Sequence, residues 1–243
     1  MTRLSTFPGA EAAAARAAVE IAREVRRARD ERGVAHLALS GGSTPARTYE
    51  LLAGELDDWN GVEVWFADER CVGPEDEQSN YRLAAETLLR PAGVDPAHVH
   101  RMEGEMGPVQ GAQRYETALR ERVPPDDENS SDLPVLDLIV LGIGPDGHIA
   151  SLFPGAPTLG AGSRAICLAV HDSPKPPPER ITLSLAVLGA ARRCLLLATG
   201  AGKAGAIAAA LAEPSRHVPA SLLERRRLTV IVDDAASPAP VQK

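Results

Sequence analysis

The stretch VLDLIVLGIGPDGHIASLFPG, Val135 to Gly155, joins an apolar run to a glycine-rich turn. Its first seven residues, 135–141, form an apolar run of the length of a strand buried on both faces. The run ends in Gly142-Ile143-Gly144-Pro145-Asp146-Gly147, whose glycine spacing satisfies that of a dinucleotide-binding turn. Such a turn needs a helix directly after it, with the helix N-terminus facing the pyrophosphate. Here Pro154-Gly155 follows too soon for a helix of ordinary length, and Asp172, placed like a ribose-binding acid, opens a proline-rich loop. The stretch is therefore read as a tight loop at the carboxyl end of a strand, with Asp146 and His148 projecting into a crevice. A histidine with a carboxylate two residues away can serve as a general base held in one tautomer. The plain alternative is a loop histidine bonded to backbone.

Outward from this strand, runs at 34–39, 62–66, 165–170, 181–185, 194–198 and 228–232 also read as strands. Helical patterns lie between several of them, near 45–56, 79–90, 108–121 and 203–212, after a first amphipathic helix over 10–32. That helix carries Val19, Ile21 and Val25 among arginines and glutamates, with Gly33 as its stop. The alternation predicts an α/β fold, a mostly parallel sheet with helices on both faces, and residues 1–243 are taken as a single domain. Two stretches break the rhythm. PPDDENSSDLP (124–134) reads as a solvated linker, and HDSPKPPPER (171–180) is too proline-rich for a helix or central strand, so it is expected to be stiff and extended.

Composition narrows the function. A net charge of −7 and 3% aromatic residues leave little field or stacking surface for nucleic acid, so no nucleic-acid partner is expected. The cysteines, Cys71, Cys167 and Cys194, are odd in number and far apart, which argues against a disulfide framework or a zinc knuckle. No run approaches the ~18 apolar residues of a membrane span, and the N-terminus lacks a signal-type apolar region; a cytoplasmic location is expected. Histidines 36, 98, 100, 171 and 217 make no metal set with His148, so no metal is expected.

Three further loops share the logic of the first. In LALSGGSTPARTYELL (37–52) a strand ends at Ser40, Gly41 and Gly42 expose backbone amides, and Ser43 or Thr44 can cap a helix with Pro45 at its first position. Such a helix start attracts anions, and phosphate is the expected one; an ordinary capped turn is the alternative. WFADERCV (65–72) places Asp68, Glu69 and Arg70 at the sheet edge. ATGAGKAG (198–205) puts Lys203 at a helix start but departs from a Walker loop, with Leu197 for the first glycine and Ala204 for the metal-binding hydroxyl. Lysine occurs only at 175, 203 and 243, every other basic residue being arginine. One explanation is a requirement for a compact ammonium at 175 and 203, as at a phosphate or reacting oxygen; chance placement is the other.

In this order, LSGGSTP (39–45), DERCV (68–72), SNYR (79–82), LGIGPDGHIASLFPG (141–155), PKPPPERITLSL (174–185) and TGAGKA (199–204) resemble the 6-phosphogluconolactonase family. The resemblance implies the fold of the glucosamine-6-phosphate deaminases and ribose-5-phosphate isomerases, and metal-independent hydrolysis of a phosphorylated δ-lactone in the oxidative pentose phosphate pathway. The deaminases share the first, second and fourth motifs, but their histidine loop carries a glutamate where Phe153 stands here, and an aromatic residue where Arg70 stands. Ile149, where lactonases more often have threonine, is deaminase-like, and Gly73 replaces a common proline. By resemblance, His148 activates the attacking water, Asp146 orients the loop or the imidazole, and Asp68 and Arg70 contact sugar hydroxyls or the oxyanion. Gly41, Gly42, Ser43 and Thr44 would hold the phosphate with Arg180 and Lys203. No cofactor and no obligate protein partner is implied, the partner being the sugar-phosphate lactone. A deaminase or isomerase, or a non-catalytic sugar-phosphate sensor, is the alternative; a sensor of this type normally carries a helix-turn-helix before the domain, and about 33 residues precede the first strand read here.

Overall fold

Short apolar runs become strands here because both of their faces are covered. The computed structural model describes residues 2–125 and 132–238; residues 126–131 of the predicted linker, and Lys243, lie outside the described residues. In chain order these residues form β1 (Arg3–Phe7), α1 (Gly9–Arg32), β2 (Ala35–Leu39), α2 (Ser43–Leu52), β3 (Val62–Phe66), β4 (Asp68–Arg70), and α3 (Asn80–Ala84), which runs on into a π turn at Ala85–Leu89. Then follow α4 (Pro108–Arg122), β5 (Leu138–Gly142), β6 (Cys167–Val170), β7 (Arg180–Leu183), α5 (Leu185–Ala190), β8 (Arg193–Ala198), α6 (Ala204–Leu211) and β9 (Leu228–Asp233).

Six strands pair in the order β1-β9-β8-β5-β2-β3, parallel throughout. From β2 the chain proceeds outward to β3, whereas from β5 it proceeds the other way through β8 to β9. The loops leaving β2 and β5 therefore part in opposite directions, which opens a crevice at the carboxyl ends of these two neighbours. All five residues of β2 are buried, as a central parallel strand requires.

A second sheet, antiparallel, has the order β4-β7-β6 and was not separated from the first by sequence reading. It sets Asp68 opposite Thr182 and Arg70 opposite Arg180. The Leu183 amide donates to the Ala67 carbonyl at 2.8 Å, tying this sheet to the end of β3.

The first helix stops where predicted. Gly33 adopts φ 78° and returns its N–H to the Arg29 carbonyl. Of the three branched residues named above in this helix, Ile21 and Val25 are buried and Val19 is 41% exposed, and the core is met by Ala13, Ala14, Ala17, Ala18, Ile21, Ala22, Val25 and Ala28. Small side chains on this face let α1 lie close to α2 and β9. His36, His98 and His100 have ordinary partners: the Trp65 indole donates to His36 Nδ1 at 3.2 Å, and Glu63 pairs with both of the others.

Candidate active site

The switch-point crevice is a cleft of about 310 Å³. Four parallel strands deliver loops to it. Ser40 to Thr44 follow β2, Asp68 and Arg70 follow β3, Gly142 to His148 follow β5, and Lys203 follows β8. Lys175 and Arg180 close it from the proline-rich segment and β7. Every predicted site residue except Asp146 lines the cleft, and Asp146 is held directly behind His148.

The Asp146–His148 pair is made by a loop only glycine can form. His148 Nδ1 lies 2.5 Å from Asp146 Oδ1, so the ring donates from Nδ1 and keeps Nε2 for a substrate proton. A Cβ on Gly144 would fall on His148 Nδ1 and Asp146 Oδ1. Gly147 has φ +83°, and its added Cβ would sit 2.8 Å from Val218 Cγ1. Ala150, on the cleft wall, is held at φ 47° without being glycine. The His148 ring rests on Phe153, 4.7 Å between centroids, and the Arg180 guanidinium lies over Phe153 at 5.6 Å. Phe153 thus packs beneath the ring and the guanidinium together.

Electrostatics favour a neutral imidazole. Burial pushes the His148 pKa below the usual histidine value; the Asp146 carboxylate opposes this shift and the Lys175 ammonium adds to it. Burial alone would raise Asp146, but the hydrogen bond and charge of His148, with Lys175, outweigh it and hold the carboxyl below its usual range. Lys203 is lowered by burial and by repulsion from Lys175. Its Nζ donates to the Ile143 carbonyl at 2.7 Å.

Lys175, marked by the scarcity of lysine for a phosphate or a reacting oxygen, is not among the predicted site residues. Its Nζ stands 3.4 Å from His148 Nδ1 and 3.8 Å from Asp146 Oδ1. The proline-rich loop that carries it is not extended, contrary to expectation. Arg180 donates Nε to the Pro177 carbonyl at 3.1 Å and Nη2 to those of Lys175 and Pro176 at 3.0 and 3.2 Å, while the Ser173 amide reaches the Pro178 carbonyl at 3.0 Å. Four carbonyls drawn inward fold the segment back over the cleft. Arg180 therefore spends two nitrogens on this loop, where the sequence reading gave it to the phosphate alone.

Strand alternation separates the Asp68, Glu69 and Arg70 trio. Asp68 is buried toward the cleft, accepting from Ser151 Oγ at 2.7 Å and Asn80 Nδ2 at 3.2 Å. Glu69 points the other way and accepts from the amides of Arg70, Asn80 and Tyr81 and from Ser79 Oγ, closing the start of α3. Arg70 Nη1 donates to the Gln78 carbonyl at 2.6 Å. Arg70 Nε, Ser40 Oγ and Asn80 Oδ1 are buried at the cleft wall without protein partners, polar atoms suited to a bound ligand or solvent. SNYR (79–82) was the sequence signal for Asn80.

The helix start differs in detail from its prediction. Gly42, at φ 114°, occupies the cap position and no side chain caps it; Ser43, Thr44 and Pro45 are the first three helical residues. Amides at this end remain free for an anion. Gly41 must be glycine because an added Cβ would fall on Asn80 Oδ1. Thr44 Oγ1 meets Thr199 Oγ1 at 2.9 Å, joining the β2 and β8 loops.

A covered parallel sheet with a histidine–aspartate pair and an uncapped helix start on one cleft at its switch point has the layout of a small-molecule α/β enzyme. A family model described as "Glucosamine-6-phosphate isomerases/6-phosphogluconolactonase" matches residues 8–232, and the chain belongs to this family. It is 37% identical over 238 residues to the 6-phosphogluconolactonase of Streptomyces coelicolor, covering 94% of this chain and 88% of that protein. With the 6-phosphogluconolactonase of Mycobacterium tuberculosis it is 34% identical, covering 98% of each. Among solved structures, a 6-phosphogluconolactonase from Shewanella baltica superposes with a TM-score of 0.82 at 30% identity, covering 96% of this chain and 97% of that one.

Proposed function

We propose that the protein hydrolyses 6-phospho-D-glucono-1,5-lactone to 6-phosphogluconate. The observation that carries this reading is the placing of the His148–Asp146 pair and the Gly41–Thr44 helix start on one cleft. One end suits a reacting carbonyl, the other a phosphate, within one residue-sized crevice.

His148 Nε2 takes a proton from water as the oxygen attacks the lactone carbonyl. Asp146 steadies the imidazolium that forms. The tetrahedral oxyanion is met by Arg70, whose Nε has no other partner, and Asp68 holds sugar hydroxyls. Collapse breaks the bond from the carbonyl carbon to the ring oxygen, which receives the proton from His148, leaving an open-chain acid. The phosphate rests on the amides of Gly41, Gly42 and Ser43 and on the Thr44 hydroxyl, with the Lys203 ammonium and the Arg180 guanidinium alongside. All of these groups come from one chain, treated as a single domain acting in the cytoplasm. The free cysteines accord with a reducing location, and burial pushes Cys71 to about 11 and Cys194 to about 12, far from thiolate chemistry.

The test is to generate the lactone in situ from glucose 6-phosphate and measure its loss above the spontaneous rate. Excess hydrolysis is expected, and His148→Ala should reduce it at least ~100-fold. No excess with the wild-type protein would sink the assignment, and ammonia release from glucosamine 6-phosphate would be measured next.

A further inference from the structure

At the opposite end of the sheet lies a second depression, of about 570 Å³. It sits at the amino ends of β1, β9 and β8, where Arg3, Leu228 and Arg193 begin their strands, and is walled by the second half of α1. The catalytic cleft is at the carboxyl ends, so the two do not share a residue.

Six arginines line it: Arg3, Arg23, Arg26, Arg27, Arg193 and Arg226. Only Glu24 and Asp30 oppose them within the lining. In a chain of net charge −7 this is a local reversal of sign. Ion pairing with α1 carboxylates accounts for part of it, since Arg23 and Arg27 each reach Glu24 and Arg3 and Arg23 reach Glu20. Among the described residues, Arg193 and Arg226 have no ion-pair partner, and they come from two different segments. Nor does the α1 dipole explain the set. The arginines of its last turn, Arg29 and Arg32, lie outside the groove and pair with Asp58 and Asp137.

Mutual repulsion among these guanidinium groups is relieved by a multivalent anion that several of them bind at once. The planar fork of arginine suits phosphate oxygens in pairs. Size is limited by the depression itself, about 570 Å³ with Glu24 and Asp30 in its wall, which suits a compact anion. We propose that this groove binds a small anion with two or more clustered phosphates, the chemistry common to inorganic polyphosphate and the phosphate tail of a nucleotide.

Calorimetric titration of inorganic tripolyphosphate into the full chain tests this directly. With the catalytic cleft already saturated by 6-phosphogluconate, one site is expected, weakening as salt rises. Arg226→Glu, an exposed position, and Arg193→Gln/Arg226→Glu should each lower affinity at least about tenfold, and Lys203→Ala should not. Unchanged thermal melting of the variants guards against misfolding. Adenosine triphosphate binding more tightly than tripolyphosphate assigns the site to nucleotides; equal affinity assigns it to the phosphates alone. Binding lost with Lys203→Ala, or unaffected by the groove variants, overturns the proposal. So does equally tight binding of orthophosphate, or a short DNA duplex that outcompetes both small anions.

Discussion

His148 shows how far a single side chain depends on its neighbours. In the proposed mechanism the neutral imidazole is the working form, and the groups facing it are Asp146, Lys175 and Asp68, of which only Lys175 is a cation. Removing that ammonium lets the imidazole hold its proton more tightly. In Lys175→Met, the acid limb of kcat/KM should therefore move to higher pH, and Lys175→Arg should restore its position; a purely structural lysine would change the rate without moving the limb. Gly144→Ala makes the complementary point, since the new methyl would occupy the place of the His148–Asp146 contact. Turnover should fall about as far as in His148→Ala, at least ~100-fold, while far-ultraviolet circular dichroism stays unchanged. Asp146 and His148 were legible in the sequence because they are two residues apart in a loop that glycine makes tight. Lys175 was marked by the scarcity of lysine but not placed beside His148, because its approach depends on a fold-back of the proline-rich loop across 27 residues of separation.

At the scale of elements, continuous apolar runs were read correctly and charged or exposed ones were not. β2, β3, β5, β8 and β9 were found because burial on both faces leaves a continuous apolar signature. β1 is an edge strand, half exposed and paired only with β9, and β4 is three charged residues long; neither carries such a signature. The core face of α1 is made mostly of alanines, which carry little periodic apolar signal. β4 nevertheless holds the site together through Glu69, which accepts four hydrogen bonds from the Arg70–Tyr81 region while buried. Glu69→Gln turns one acceptor into a donor aimed at other donors. A loss of about 2 kcal/mol or more in urea unfolding is expected, since each buried donor left unpaired costs ~1–3 kcal/mol.

Taken whole, the molecule gathers its candidate active site at one end of its parallel sheet. That end is chosen by topology, because β2 and β5 are the neighbours from which the chain departs in opposite directions. The sequence conveyed the class of sheet but not this strand order, which depends on pairings between residues about a hundred positions apart. If the phosphate is a uniform handle at this crevice, Lys203→Ala should raise KM more than it lowers kcat. The same variant should also lose the melting-temperature rise that product gives the wild-type protein, a stabilisation of ~2.7 kcal/mol at 100 times Kd. The six buried alanines of α1 have a consequence at this scale. Methyl groups set the gap between helix and sheet, and α1 is also a wall of the arginine groove. They act as a spacer, so bulkier side chains on that face would alter the width of the groove at one end while the loops of the cleft at the other kept their own anchorage.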